Sequence, residues 1–326
     1  MLITSRTPAA MVKELAICTR GLTKQFDRHV AVNDVDLEIQ AGEVYGLIGP
    51  NGAGKTTLIR MLATAEEPTT GEIYINGDRL LRDKSNPKLK GRLGYLPDDY
   101  PLYEDLTVWD YLDYFARLYH LREPRRTQRL HEVLELIQLG NKRHSQISTL
   151  SRGMKQRLSL ARTIIHEPIL LLLDEPVSGL DPIARMHFRE VIKALQEAGM
   201  TVIISSHVLS DLAELCTSVG IMELGFLVES TSLQHLYQRL SHQQIVISTL
   251  GNLEVLLREL KHHHLVEEWE VISGKNSVRV NFSGKEEDSA ELLRSLIKAG
   301  IPLTDFHCTQ EDLETIFLKL GHKQAS

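Results

Sequence analysis

GEVYGLIGPNGAGKTTLIRMLAT, residues 42–64, runs from an apolar segment through a glycine-rich loop into a stretch with apolar residues at Leu58, Met61 and Leu62. The apolar segment predicts a buried strand, and the spacing after the loop predicts a helix. Between them, Gly49-Pro50-Asn51-Gly52-Ala53-Gly54-Lys55-Thr56 fits the pattern GxxxxGK[ST] at every fixed position. Glycines let the backbone curl so that consecutive N–H groups face one anion-sized hollow, and a helix starting near Gly54 adds the positive end of its dipole. Lys55 is then placed to neutralise β/γ-phosphate charge, and the Thr56 hydroxyl to ligate Mg2+.

A second apolar run, Ile169–Leu173, ends in Asp174-Glu175. A buried strand aims its terminal carboxylates at the carboxyl edge of the sheet, where open α/β sheets bind ligands. There Asp174 holds Mg2+ through water, and Glu175 polarises an attacking water as general base. A helix is expected over 153–166, stopped by Pro168, and another over 184–198 before Gly199; TVIISS at 201–206 reads as another buried strand. Upstream, LAICTR and VAVNDVDLEI predict two strands around a polar turn, and GEIYING (71–77) a short alternating one. Continuous apolar strands alternating with helices indicate a mostly parallel sheet covered on both faces. Eight of the 18 aromatic residues fall between Tyr95 and Tyr119, in a segment that reads as a helical insertion from Thr107 onward. Thr107 and Asp110 resemble a capping box, and Leu112, Phe115, Ala116 and Tyr119 form one stripe.

After about Leu240 the pattern changes to strand, helix (252–261), strands (265–271, 277–282), helix (288–299), strand (301–307) and a last helix (310–320). That βαββαβ order predicts a small ferredoxin-like α+β domain. The expected division is a disordered lead over 1–12, a nucleotide-binding domain over 13–238 with a helical subdomain at about 98–165, and an accessory domain over 239–326.

The net charge of −6 argues against binding to the phosphate backbone of DNA or RNA, so no nucleic-acid partner is expected. The longest apolar stretch, five residues, falls far short of the roughly 20 that span a bilayer. Charge and proline interrupt any signal-peptide core near the N-terminus, and Cys18, Cys216 and Cys308 are too far apart for a CxxC site, so the chain reads as cytosolic.

With these motifs in place, the sequence resembles the ATP-binding subunits of ABC transporters across residues 15–235. Leu150-Ser151-Arg152-Gly153-Met154-Lys155-Gln156 resembles the family's LSGGQ signature, Ser178-Gly179-Leu180-Asp181 its D-loop, Ser206-His207 its switch histidine, and Phe26 the aromatic that stacks on adenine. The resemblance implies a P-loop NTPase core of ABC type, ATP held by Phe26 and by Gly49 through Thr57, and hydrolysis with Glu175 and His207. It also implies a head-to-tail dimer, homomeric or with another ABC ATPase subunit, in which Ser151 and Gly153 reach the partner's ATP and Asp181 communicates across the interface. Integral membrane permease subunits are then supplied in trans, with this chain peripheral on the cytoplasmic face of the membrane.

Arg152 and Met154 stand where the family has glycine and glutamine, and Asp98 stands where it has the Q-loop glutamine, which leaves open whether Asp98 faces the metal. These departures and the TQEDLETIFLKL tail (309–320) resemble subunits of type 2 exporters. The alternative is an ABC-type ATPase switch acting on a soluble macromolecule; the long coiled-coil insertion and the second P-loop of such proteins are not found. Tyr100, Tyr103 and Trp109 are candidates for a partner surface. Arg122, Arg125, Arg126 and Arg129 read as a solvated helix face or a contact for anionic lipid, and His262-His263-His264 as a solvated helix end.

Overall fold

The computed structural model describes residues 15–80, 86–208, 212, 214–240, 243–272, 276–284 and 286–310. The lead expected over 1–12, and the final helix from 311 onward, lie outside the described residues. The chain divides into two compact units, Met1–Leu233 and Gln234–Ser326.

In the first unit the apolar strands assemble as expected. A six-stranded sheet has the order β11 (Phe226–Ser232), β10 (Ser218–Glu223), β4 (Val44–Ile48), β9 (Thr201–Ser206), β8 (Leu170–Leu173), β7 (Leu93–Leu96). All pairings are parallel except that of β10 with the edge strand β11. Every residue of β4, β8 and β9 is buried, which is why these segments are apolar without alternation. In register, Ile48 stands opposite Ser206 and Leu173 opposite Ile204, so the carboxyl ends of β4, β8 and β9 open onto one edge.

The N-terminal strands form a separate antiparallel sheet, β2 (His29–Val35), β1 (Leu15–Phe26), β5 (Thr70–Ile75), β6 (Asp78–Arg79), with β3 (Glu38–Gln40) pairing to β1. β1 alternates between buried and accessible positions over Ile17–Arg20, the pattern of a strand packed on one face, and runs out to accessible positions from Thr23 to Phe26.

Among the described residues the helices of this unit include α1 (Lys55–Leu62), the short α2 (Pro87–Lys90), and α3 (Val108–Leu118), α4 (Arg125–Leu136) and α5 (Arg152–Ile164) of the helical insertion. Another, α6 (Pro182–Glu197), starts two residues earlier than expected because Asp181 caps it, accepting from Ala184 N at 3.0 Å, and Pro182 takes the first helical position. Thr107 caps α3, its Oγ1 accepting from Asp110 N at 3.1 Å, but the expected box closes through the side chains, Thr107 Oγ1 donating to the Asp110 carboxylate at 2.6 Å. The expected stripe shifts by a turn. Val108, Tyr111, Leu112 and Ala116 are buried, whereas Tyr119 is exposed and stacks on His166, ring centroids 3.9 Å apart.

The arginine run is largely consumed within the insertion. Arg125 pairs with Glu132 and Glu167, Arg126 with Asp113 and Glu123, and Arg129 donates to the Ile164 and Ile165 carbonyls that end α5. Among the described residues no helix is long and apolar enough to cross a membrane.

The second unit is an antiparallel sheet of order β13 (Val266–Ile272), β14 (Ser277–Phe282), β12 (Gln243–Thr249), β15 (Leu303–Gln310). Helices Leu253–His262 and Glu286–Lys298 supply Leu256, Leu260, Leu292 and Leu296 to a core with Ile245, Ile247, Val278, Val280 and Phe282. This strand order is the ferredoxin-like one that the βαββαβ sequence pattern predicts. His263 stacks on His264 and reaches the Phe282 ring rather than projecting alone.

Candidate nucleotide site

The loop after β4 is shaped by Gly54, which caps α1 at φ 102° and whose missing Cβ would lie 2.3 Å from the Ala31 carbonyl oxygen. Any other residue there would lift the loop off the N-terminal sheet. Lys55 is the first residue of α1 and is buried, at 5% exposure. Its ammonium donates to the carbonyls of Gly49 at 2.7 Å and Pro50 at 3.2 Å, and lies 3.6 Å from Glu175 Oε1. No acidic residue occupies the first turn of α1, so the positive end of its dipole is unopposed there.

Across the sheet edge, Asp174 directly follows β8 and is 1% exposed. Its Oδ1 accepts from Ser205 Oγ at 2.6 Å and from Thr56 Oγ1 at 3.1 Å. Burial raises its pKa, these two hydrogen bonds oppose the rise, and the nearby negative charges of Glu175 and Asp98 add to it. A threonine hydroxyl beside a carboxylate, with two more carboxylates around it, is an oxygen donor set that fits a hard divalent cation such as Mg2+.

Glu175 stands at φ 47°, in the left-handed region that costs a non-glycine residue roughly 1–3 kcal/mol. The turn takes its backbone out of the strand line, where its N–H donates to Ser205 Oγ at 2.9 Å. Its Oε2 accepts from His207 Nδ1 at 2.8 Å. A carboxylate oxygen only accepts, so Nδ1 carries the proton and Nε2 is left for another partner. Lys55, Glu175 and His207 are thus linked through the two carboxylate oxygens of Glu175.

These groups border an open cavity of ≈ 490 Å³, a size suited to a nucleotide. Asn51, Gly52, Ala53, Gly54, Thr56 and Thr57 line its floor, with Asp98 at one side. Phe26 stands at the rim, 43% exposed, with the Lys24 ammonium 4.7 Å from its ring centre. Of the residues expected at the site, Gly49 and Pro50 contribute their carbonyls to Lys55, and Asp174 lies behind Thr56. Ser151, Gly153 and Asp181 do not line this cavity. Ser151 instead caps α5, its hydroxyl accepting from Met154 N at 3.3 Å.

Sequence reasoning missed His29, Ala31 and Ser205 here. His29 lines the cavity because the tight turn at Asp27-Arg28 sets it directly opposite Phe26 in the β1–β2 register; the polar turn between those strands was the signal. Ser205 braces both Asp174 and Glu175 from the neighbouring strand. Ser178, the first residue of the motif read as D-loop-like, lines the cavity, whereas Asp181 of the same motif does not.

Residues 32–178 match the sequence model of a family described as ABC transporter. The chain is 33% identical over 312 residues to the bacitracin transport ATP-binding protein BcrA of Enterococcus faecalis, covering 95% of this chain and 97% of that protein. It is 36% identical over 206 residues to the Nod factor export ATP-binding protein I of Cupriavidus metallidurans, covering 63% of this chain and 67% of that protein. A solved structure titled as the ATP binding subunit of an ABC transporter superposes with TM-score 0.61 at 30% identity, covering 69% of this chain and 92% of that one.

Proposed function

The chain belongs to the ATP-binding proteins of ABC transporters, and from that premise we propose that it is the ATPase subunit of an exporter. In this reading two ATP-binding domains (13–238) close head to tail on two Mg-ATP and drive separately encoded permease subunits from the cytoplasmic face of the membrane, with 239–326 an accessory domain. The observation that carries the ATPase chemistry is the linked set Lys55–Glu175–His207 at the edge of a nucleotide-sized cavity. The export direction is supported by relatives such as the Nod factor export ATP-binding protein I.

In the proposed cycle Lys55 exchanges the Gly49 and Pro50 carbonyls for β/γ-phosphate oxygens. That exchange frees one oxygen of Glu175 to accept a proton from the attacking water, while His207 keeps the carboxylate aimed. Thr56 and, through water, Asp174 would hold Mg2+, whose contribution when bound is to neutralise phosphate charge. Phe26 stacks on adenine at the rim. Phe26→Ala is expected to raise the KM for ATP by about 5-fold at little change in kcat, the worth of one aromatic stack. A loss confined to kcat would remove Phe26 from the binding site.

The permease-facing surface is best supported at Tyr103, 50% exposed and in contact with the rings of Tyr114 and Phe115. Tyr100 and Trp109 are less available: the Tyr100 hydroxyl donates to Gln156 of α5, and Trp109 packs on His131. The transporter reading is tested by affinity purification of the tagged chain from detergent-solubilised native membranes. A stoichiometric polytopic membrane protein that raises ATP turnover is the expected result. Recovery with soluble partners alone would transfer the same chemistry to a different machine.

A further inference from the structure

Arg152, which stands where the signature has glycine, has a definite place in the fold. It opens α5, and its guanidinium Nη2 donates to the Ser178 carbonyl at 3.1 Å. Ser178 and Gly179 belong to the loop between β8 and α6, and Gly179 sits at φ +66°. A Cβ built on Gly179 would meet Nη2, Nη1 and Cζ of Arg152 at 2.5, 2.6 and 2.7 Å, so the guanidinium occupies the space that a side chain at 179 would need.

Two further contacts extend the connection. The missing Cβ of Gly153 would lie 2.6 Å from Ala184 Cβ, so the start of α5 packs directly on the first turn of α6. On the other side of the loop, Ser178 N donates to the Glu175 carbonyl at 3.2 Å. A continuous run of contacts therefore joins the start of the signature helix to the residue that carries the general base: Arg152 to Ser178, and Ser178 to Glu175.

We propose that Arg152 is a positioning residue for the Ser178–Asp181 loop, holding that loop and the start of the signature helix as one body. The inference rests on the ATP-sandwich reading, since only there do Ser151 and Asp181 meet a second chain. When the signature helix engages the partner's nucleotide, its displacement passes through the Arg152–Ser178 hydrogen bond to the backbone of Glu175. A glycine at 152 leaves the loop without this donor and without cover on Gly179.

The test is a double-mutant cycle on ATP turnover and ATP affinity, using Arg152→Gly, Gly179→Ala and the double variant, with Arg152→Lys as the conservative change. Arg152→Gly is expected to lower kcat about 10-fold, the worth of one hydrogen bond from a charged donor, with the Kd for ATP changed by less than about 2-fold. Arg152→Lys keeps a donor for the Ser178 carbonyl and recovers part of that rate. Gly179→Ala displaces the guanidinium, so its cost in kcat is expected to be at least about 5-fold smaller once Arg152 is already glycine. Additive effects overturn the proposal, as does a loss of ATP affinity that matches the loss of rate. Thermal melting of each variant shows whether a rate loss is unfolding; Arg152 is exposed, and its variants are expected to melt with the parent. Light scattering on Glu175→Gln with Mg-ATP separates the two levels. A dimer combined with additive effects removes the positioning role alone, whereas a monomer overturns the sandwich reading and this inference with it.

Discussion

Lys55→Ala is expected to reduce ATP turnover by at least about 100-fold and to weaken nucleotide binding with it, because the buried ammonium is the group placed to meet the β/γ-phosphates. The structure adds a second consequence. Lys55 is at 5% exposure and holds two loop carbonyls together with one oxygen of Glu175. Alanine leaves the Gly49 and Pro50 carbonyls without that donor and Glu175 without its cation. The variant is therefore expected to bind ATP poorly even though the glycine-rich backbone is unchanged. Isothermal titration with Mg-ATP and a phosphate-release assay check both parts. Near-parental turnover would sink the assignment of the phosphate loop.

The second large effect is expected at Glu175. In the proposed cycle Glu175→Gln removes the proton acceptor while preserving shape, and general-base catalysis contributes roughly 100- to 10,000-fold. Gln fits the left-handed backbone at this position no worse than Glu, and its side-chain oxygen still accepts from His207 Nδ1. Folding and ATP binding should thus survive, and ATP that is bound but not cleaved should hold two chains together. Size-exclusion chromatography with light scattering is expected to give twice the monomer mass in saturating Mg-ATP and a monomer in ADP. A monomer under both conditions, with ATP bound, would exclude the head-to-tail sandwich. His207→Ala, by contrast, leaves the base in place but unaimed, and is expected to cost less than Glu175→Gln in kcat.

Not every feature behind these variants was legible in the sequence. The phosphate loop was, because its physics is local. Gly49 through Thr56 are contiguous, a strand enters and a helix leaves, and no distant residue is needed to recognise an anion cradle. Asp174 and Glu175 were legible for a similar reason, since an apolar run ending in acids states its own burial and its own edge. The C-terminal strand order followed from the βαββαβ pattern, which leaves few ways to pair four strands.

The partition of the N-terminal strands into a second sheet was not legible. Periodicity reports that one face of β1 is covered, not which strands lie beside it; pairing is decided by register and packing across the whole unit. The same holds for the partners of the site. Ser205 braces Asp174 from 31 residues away, and Arg152 reaches Ser178 across 26. The anion cradle could be read from the chain because Gly49 through Thr56 are neighbours in it, and Asp174-Glu175 because they close an apolar run. Tertiary structure alone decided which carbonyls and carboxylates hold Lys55 and which loop Arg152 grips, because hydrogen bonds between distant segments exist only after the sheet has set those segments side by side.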